Sequence, residues 1–326
     1  MHVLLLMISG SCNWSSSRLQ VDVSDIPLDK VEVHRYDRAL FSIPLNRLEE
    51  GLEQIKPFYL FFLDTDLRDS AKIHNLKEYL TNIRTVEFYH TSQERFPDLS
   101  SLESKLTEAF RHLLYYYPDA RIPRVYTYIS GGEYEDPVQY IDSVLLIALD
   151  AYLGTGFKPY AADGLPLYKI QRMEPAYILP GCIRAIEEEY YPVRYPGNTL
   201  LDHMIDAGKQ IYFLDALIPD YPDRYKIAYT ERQMDWIHSN EAHVWAALIE
   251  NRLLFTSKGS TIRTFLADGP FTADFSSESP PRLGEYLGWQ IIKAYMEQNP
   301  EVSLEELIHE PDSQKILSES KYKPRK

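Results

Sequence analysis

Two stretches, Ile122–Ser130 (IPRVYTYIS) with the Gly131-Gly132 turn behind it, and Ser143–Asp150 (SVLLIALD), decide the fold class of this 326-residue chain. The first alternates apolar and polar residues, which places every second side chain on one face and reads as a strand. The second is a nearly continuous apolar run, suited to an interior strand covered on both faces. Toward the N-terminus Lys30–Tyr36 (KVEVHRY) alternates in the same way. Between it and residue 122 the pattern is helical over Leu45–Leu63, Ile73–Ile83 and Asp98–Tyr117, the last with a Ser100 or Ser101 cap ahead of Glu103 and a stop at Pro118. After about residue 165 nearly every segment carries the helical period: Glu174–Tyr191, Thr199–Ile218, Thr230–Phe255, Arg282–Gln298 and Ser303–Ile308. The expectation is an α+β fold, predominantly helical, with a small sheet in the N-terminal half and a helical C-terminal half. Length favours one domain over residues 29–326 above two divided in the Gly154–Gly164 loop.

With 44% hydrophobic and 25% charged residues the composition is that of a globular chain, which excludes disorder, collagen and coiled coil as whole-chain answers. Lys plus Arg is 34 against 48 for Asp plus Glu, a net charge of -14 that repels phosphate backbones and sets nucleic acid aside as a partner. The two cysteines, Cys12 and Cys182, are too few for a disulfide framework or a four-thiolate metal site.

At the N-terminus Val3–Ile8 (VLLLMI) is apolar, then come Ser9-Gly10-Ser11 and Cys12. Six apolar residues cannot span a bilayer, which takes about 20. The run has the form of the end of a secretory signal, although only the Met1 amine and His2 stand where a positive segment belongs. Small-small-Cys resembles a bacterial lipoprotein box, with Ser9 where an apolar residue is usual. The expected division is a signal peptide over 1–11, lipid on Cys12, a tether over 12–28 that includes Trp14–Arg18 (WSSSR), and the domain beyond it.

No GxGxxG follows a strand, and GxxxxGK[ST], GxSxG and HExxH are absent from the sequence. His238-Ser-Asn-Glu241-Ala-His243 comes within one residue of a zinc-peptidase order. At about 100° per residue, however, His243 points about 160° away from Glu241, so the three cannot close on one ion in a regular helix. His203 and Asp206 fall opposite the apolar stripe of Leu201, Met204, Ile205, Gly208 and Tyr212, a solvated face unless another segment covers it. Glu241 itself sits inside the stripe of Ile237, Val244 and Leu248. A carboxylate there is either paired or lines a cavity, because burying it bare costs several kcal/mol. Lys209, Arg263, Arg282 and Lys293 are its candidate partners, and sequence does not choose among them. Arg282–Gln298 is apolar on nearly all sides, a buried central helix in which Gly284 and Gly288 would admit another backbone and Trp289 belongs to the core. The candidate cleft or buried-charge residues are therefore Asp206, Lys209, Glu241, Trp245, Arg282 and Trp289. No catalytic, metal or cofactor residue is assigned.

Several strings taken in order resemble the GldB family of gliding-motility lipoproteins of the Bacteroidota envelope. They are Gln171-Arg-Met-Glu-Pro-Ala-Tyr-Ile178, Thr199–Tyr212 and Asn240-Glu-Ala-His-Val-Trp245, then Pro270-Phe-Thr272, Ser279-Pro-Pro-Arg-Leu-Gly284, Gly288-Trp-Gln-Ile-Ile292 and Ser320-Lys-Tyr-Lys-Pro324. The framework is also similar, at a distance, to a predicted zinc-peptidase family. Tyr177–Arg184 holds neither histidine of that family's motif, and Asp206-Ala-Gly208 alone has nothing to complete. The resemblance implies a degenerate metallopeptidase-like fold without metal. It implies a noncatalytic, lipid-anchored, periplasm-facing protein that supports gliding motility or related surface machinery through contacts with envelope or motility proteins. The rival readings are an envelope hydrolase using carboxylates such as Glu241 and Asp206, and a binding protein using the same cleft with Tyr and Trp walls.

Overall fold

The structure is a computed structural model that describes residues 18–191, 197–273 and 275–324. The expected signal peptide over 1–11, Cys12 and the first part of the tether lie outside the described residues.

The sheet has four strands: β1 (Val33–Arg35), β2 (Arg124–Tyr128), β3 (Val138–Ile141) and β4 (Val144–Ala148), in the order β1-β2-β4-β3. β1, β2 and β4 run parallel, with Val33 beside Val125 and Val125 beside Leu145, whereas β3 is an antiparallel edge. All five residues of β4 are buried, as its continuous apolar run requires. On one face Val125, Leu145 and Ile147 join the main core, and on the other Tyr126, Val144 and Leu146 lie under Tyr59, Phe61 and Phe62. β3 is not foreseen in the sequence. Asp142 and Ser143, at φ of +50° and +61°, close it onto β4 in a two-residue turn, a job usually signalled by Asn-Gly or Asp-Gly.

Helices make up the rest, so the fold is α+β and predominantly helical, with its small sheet in the N-terminal half and helices throughout the C-terminal half. The long expected helix Leu45–Leu63 is broken into Leu48–Ile55 and Leu60–Leu63 with 3-10 turns at Leu45–Arg47 and Lys56–Phe58, because Pro57 lacks the amide that would continue the ladder. Ile73–Ile83 is really Ser70–Thr81. Asn82 ends it and caps a second helix, Ile83–Arg95, by accepting from the amides of Arg84 and Thr85. Thr230–Phe255 stops earlier than its apolar pattern, at Glu231–Glu250, where Arg252 turns to a φ of +55°.

Three helices carry the candidate residues: Leu200–Leu217, Glu231–Glu250 and Leu283–Gln298. Thr199 and Thr230 open the first two with reciprocal capping boxes to Asp202 and Gln233. Leu200–Leu217 and Leu283–Gln298 cross at Gly208 and Gly288, where a Cβ on either glycine would run into the other helix's backbone. Around that crossing Met204, Leu287, Ile291 and Ile292 are fully buried, each contributing roughly 1.5–3 kcal/mol. The same core continues from Val31 and Val33 beside the sheet to Ile316 in a helix, Ser313–Ser320, that the sequence pattern did not announce.

Candidate functional site

A cavity of about 700 Å³ lies between the first described residues, Arg18–Gln20, and the two crossing helices. Its inner wall is a buried set of charges. Lys226 and Asp215 are 1% and 3% exposed, with the Lys226 ammonium 2.8 Å from Asp215 Oδ1. The indole N–H of Trp289 donates to Asp215 Oδ2 at 2.6 Å. Lys293 stands 3.6 Å from the same oxygen and 3.1 Å from Asp223, with its ammonium 3.6 Å from the centre of the Trp289 ring. Lys226 also donates to the Pro219 carbonyl at 3.2 Å and approaches Asp223 at 3.5 Å. Two ammonium groups and two carboxylates compensate each other, the condition under which buried charge is tolerated. What the arrangement does chemically is lock Leu200–Leu217, the turn at Pro219–Lys226 and Leu283–Gln298 together. Toward the cavity it presents the outer, half-exposed charges of Lys293 and Asp223.

Asp215 and Lys226 were missed by sequence reasoning. The signal for Asp215 resembled that for Glu241, an acid inside an apolar run (Phe213-Leu-Asp-Ala-Leu-Ile218). Its partner follows a turn, which helical spacing does not reveal.

The six residues singled out in the sequence do not share one cleft. Asp206 and Lys209 line a pocket of about 150 Å³ that also meets Tyr191, Glu310 and Ser313. The Tyr191 hydroxyl donates to Asp206 at 3.0 Å, and the face of His203 and Asp206 is half-buried. Lys209 donates to the carbonyls of Ile308 and Glu310 at 3.3 and 2.5 Å, at the C-terminal end of the Leu304–His309 helix, where a cation complements the helix dipole. Burial pulls its pKa down to about 8, against the pull of Asp206 and Glu310.

Glu241 is 2% exposed. Its two oxygens accept from Tyr286 at 3.1 Å and Tyr322 at 2.8 Å. Of the cations considered for it, Lys209, Arg282 and Lys293 are engaged elsewhere. Trp245, one turn further along the Glu231–Glu250 helix, meets the Tyr322 ring edge-on at 5.1 Å. His238 and His243 are exposed on the same helix. Two of the strings that carry the family resemblance thus converge, since Tyr322 of the C-terminal string closes over Glu241 and Trp245 of the Asn240–Trp245 string.

Arg282 opens the Leu283–Gln298 helix from a left-handed backbone, φ +56°. Its guanidinium donates to Glu285 at 2.9 Å and to the Ile227 carbonyl at 2.7 Å, and lies 3.4 Å from Asp268. Trp289, fully buried, belongs to the Asp215 network described above.

Two further buried carboxylates stand at the C-terminal ends of the parallel strands. Asp37 accepts from Thr127, Gln93 and Arg35. Asp150 accepts from the Ser130 hydroxyl and from the amides of Ser130, Gly131 and Gly132 at 2.8–3.2 Å, a nest that fixes the turn after β2.

Among the described residues no group of three His, Cys, Asp or Glu side chains is placed to hold a metal ion. No described helix is long and apolar enough to cross a membrane. No curated protein and no solved structure gives a match. A family model described as gliding motility protein GldB matches residues 16–324, from just before Arg18 to the Tyr322 string over Glu241. This chain belongs to the GldB family of gliding-motility proteins.

Proposed function

We propose that this chain is a noncatalytic, lipid-anchored envelope protein that serves gliding motility through contacts with other proteins of the motility machinery, with residues 29–326 acting as one domain. The family match over nearly the whole chain carries the reading. The chemistry of the buried acids supports it. Asp37, Asp150, Asp215 and Glu241 each spend their oxygens on donors that belong to the fold, which leaves none of them aimed at an open position where a reacting atom could sit. The main core cluster, which runs from Val31 beside the sheet to Ile316 in the C-terminal helices, supports the one-domain reading.

In this reading the anchor is lipid on Cys12, and two or more acyl chains give the stable attachment that one chain does not. Arg18, six residues on, is fastened to the body by hydrogen bonds to the carbonyls of Met296, Asn299 and Val302 at 2.7–3.2 Å. Fractionation of cells that carry Cys12→Ala is the test of the anchor. The protein moves from the membrane to the soluble periplasmic fraction and loses metabolic lipid labelling; unchanged membrane retention without any label rejects the lipid. Crosslinking in the native envelope, followed by pull-down of wild type and Cys12→Ala, tests the contact role. Motility-machinery proteins are recovered with the wild type, and recovery of none, together with intact gliding in a deletion strain, rejects it.

A further inference from the structure

A cavity of about 350 Å³, separate from the charged wall at Asp215, opens between Tyr134, Glu135 and Pro137 ahead of β3, the start of the Ile178–Tyr190 helix and the Tyr225–Ala228 turn. Two features set it apart. The first is charge. Lys169, Arg172 and Arg184 line it against two carboxylates, Asp268 and the exposed Glu135, an excess of positive charge in a chain whose net charge is -14. Arg172 is neutralised by a bidentate pair with Asp268 at 2.8 and 2.9 Å, and Arg282 behind it is neutralised by Glu285. Arg184 and Lys169 are different. Arg184 donates to the Lys226 carbonyl at 2.5 Å, and among the described residues neither it nor Lys169 forms an ion pair. Burial pulls the Arg184 pKa down, with Arg282 and Arg172 adding to the effect and Glu285 and Glu187 opposing it. A guanidinium that is desolvated and crowded by like charge gains from an incoming anion.

The second feature is the wall. Tyr152, Tyr177 and Tyr225 line it, Tyr177 and Tyr225 meeting edge-on at 5.1 Å, with Gly181 beside them. A planar guanidinium beside tyrosine rings is suited to a carboxylate or phosphate carried on a flat or apolar body. The volume is that of a small organic molecule rather than a polymer groove.

We infer that the cavity lined by Arg184, Arg172, Lys169 and the three tyrosines is a binding site for a small organic anion, whose carboxylate or phosphate sits between Arg184 and Lys169 and whose apolar body lies against the tyrosines. The site needs nothing from the lipid anchor or the motility contacts, so it stands or falls independently of them.

Phenyl phosphate, inorganic phosphate, benzoate and phenol serve as probes in calorimetric titrations of the full chain. Phenyl phosphate and benzoate bind at least tenfold more tightly than phenol, and phenyl phosphate more tightly than inorganic phosphate, because charge and ring are both used. Arg184→Gln weakens phenyl phosphate at least tenfold and Lys169→Gln by a smaller factor, with phenol unchanged in both. If Arg184→Gln does not fold, Lys169→Gln, at an exposed position, decides alone. Equal affinity for phenyl phosphate and phenol, or phenyl phosphate affinity indifferent to Lys169→Gln and Arg184→Gln, overturns the inference. If benzoate binds tightly and phenyl phosphate does not, the site is for carboxylates.

Discussion

Gly208 and Gly288 meet backbone to backbone where the Leu200–Leu217 and Leu283–Gln298 helices cross. A Cβ on Gly288 would fall onto the Met204 carbonyl, and one on Gly208 onto the Gly288 peptide, neither of which can swing aside as a side chain can. The two helices form the centre of the molecule, and their separation is set by the absence of two methyl groups.

Gly288→Ala accordingly has to push the helices apart. Overpacking a core costs about 1–3 kcal/mol and at times more, and a backbone obstacle places this case at or above about 3 kcal/mol. Urea unfolding measures it. Gly156→Ala, with nothing within 4 Å of the added Cβ, is the control and stays within about 1 kcal/mol of wild type. Equal midpoints for the two variants would show that the crossing is not tight.

Tyr286→Phe removes one donor from Glu241 and leaves the oxygen buried, at a cost of about 1–3 kcal/mol. Tyr322→Phe removes a second donor while the Trp245 contact with its ring stays. The double variant departs from additivity, because both hydroxyls serve one carboxylate. A double-mutant cycle by chemical denaturation checks this, and strict additivity would mean the two tyrosines act apart.

Asp150→Asn replaces an acceptor of four hydrogen bonds with a group that has one acceptor oxygen and an amide facing donors. The turn loosens before the core does. Hydrogen exchange at the Ser130, Gly131 and Gly132 amides speeds by tenfold or more in the variant, whereas the β4 amides keep most of their protection. Exchange rates unchanged at the two glycines would remove Asp150 from its role in holding the turn.

The Lys209 side chain makes stability depend on alkaline pH with a definite sign. Folded, the ammonium loses its proton near pH 8; unfolded, it holds it to about 10.4. Between those values the unfolded chain binds more protons, so stability gained from this group rises with pH, with a slope of at most about 1.4 kcal/mol per pH unit. Below pH 8 both states are charged and the full burial penalty applies. Lys209→Met removes the dependence. Denaturation of both proteins from pH 7 to 10 reads it as a difference that moves in favour of wild type as pH rises, and a flat difference contradicts it.

Much of the fold was legible because its signals are local. Thr199, Thr230 and Ser303 stand in the sequence as helix starts and are observed N-caps with capping boxes. The apolar run of β4 betrayed its burial on both faces, and Gly288 its close approach. Ile83–Arg95 was missed because it is polar over most of its surface, and its one clear sign, Asn82, reads equally well as a loop residue. The site was far less legible. Glu241 could be placed inside an apolar stripe, yet its donors come from residues 45 and 81 positions further along the chain. Arg184 carried no mark at all, since what distinguishes it is the neutralisation of Arg172 and Arg282 by carboxylates brought in from elsewhere.

The three carbonyls that hold Arg18 belong to the last turn of the Leu283–Gln298 helix and the residues just after it. Tension arriving along the N-terminal segment would therefore be delivered in parallel to three hydrogen bonds at and just beyond the C-terminal end of the Leu283–Gln298 helix, and through Gly288 to its neighbour, rather than peeled one bond at a time from the sheet. Were Cys12 the point of anchorage proposed above, the six residue steps to Arg18, at no more than about 3.6 Å each, would limit the lever arm to about 22 Å. A body moored so short would move with the surface that holds it instead of swinging above it.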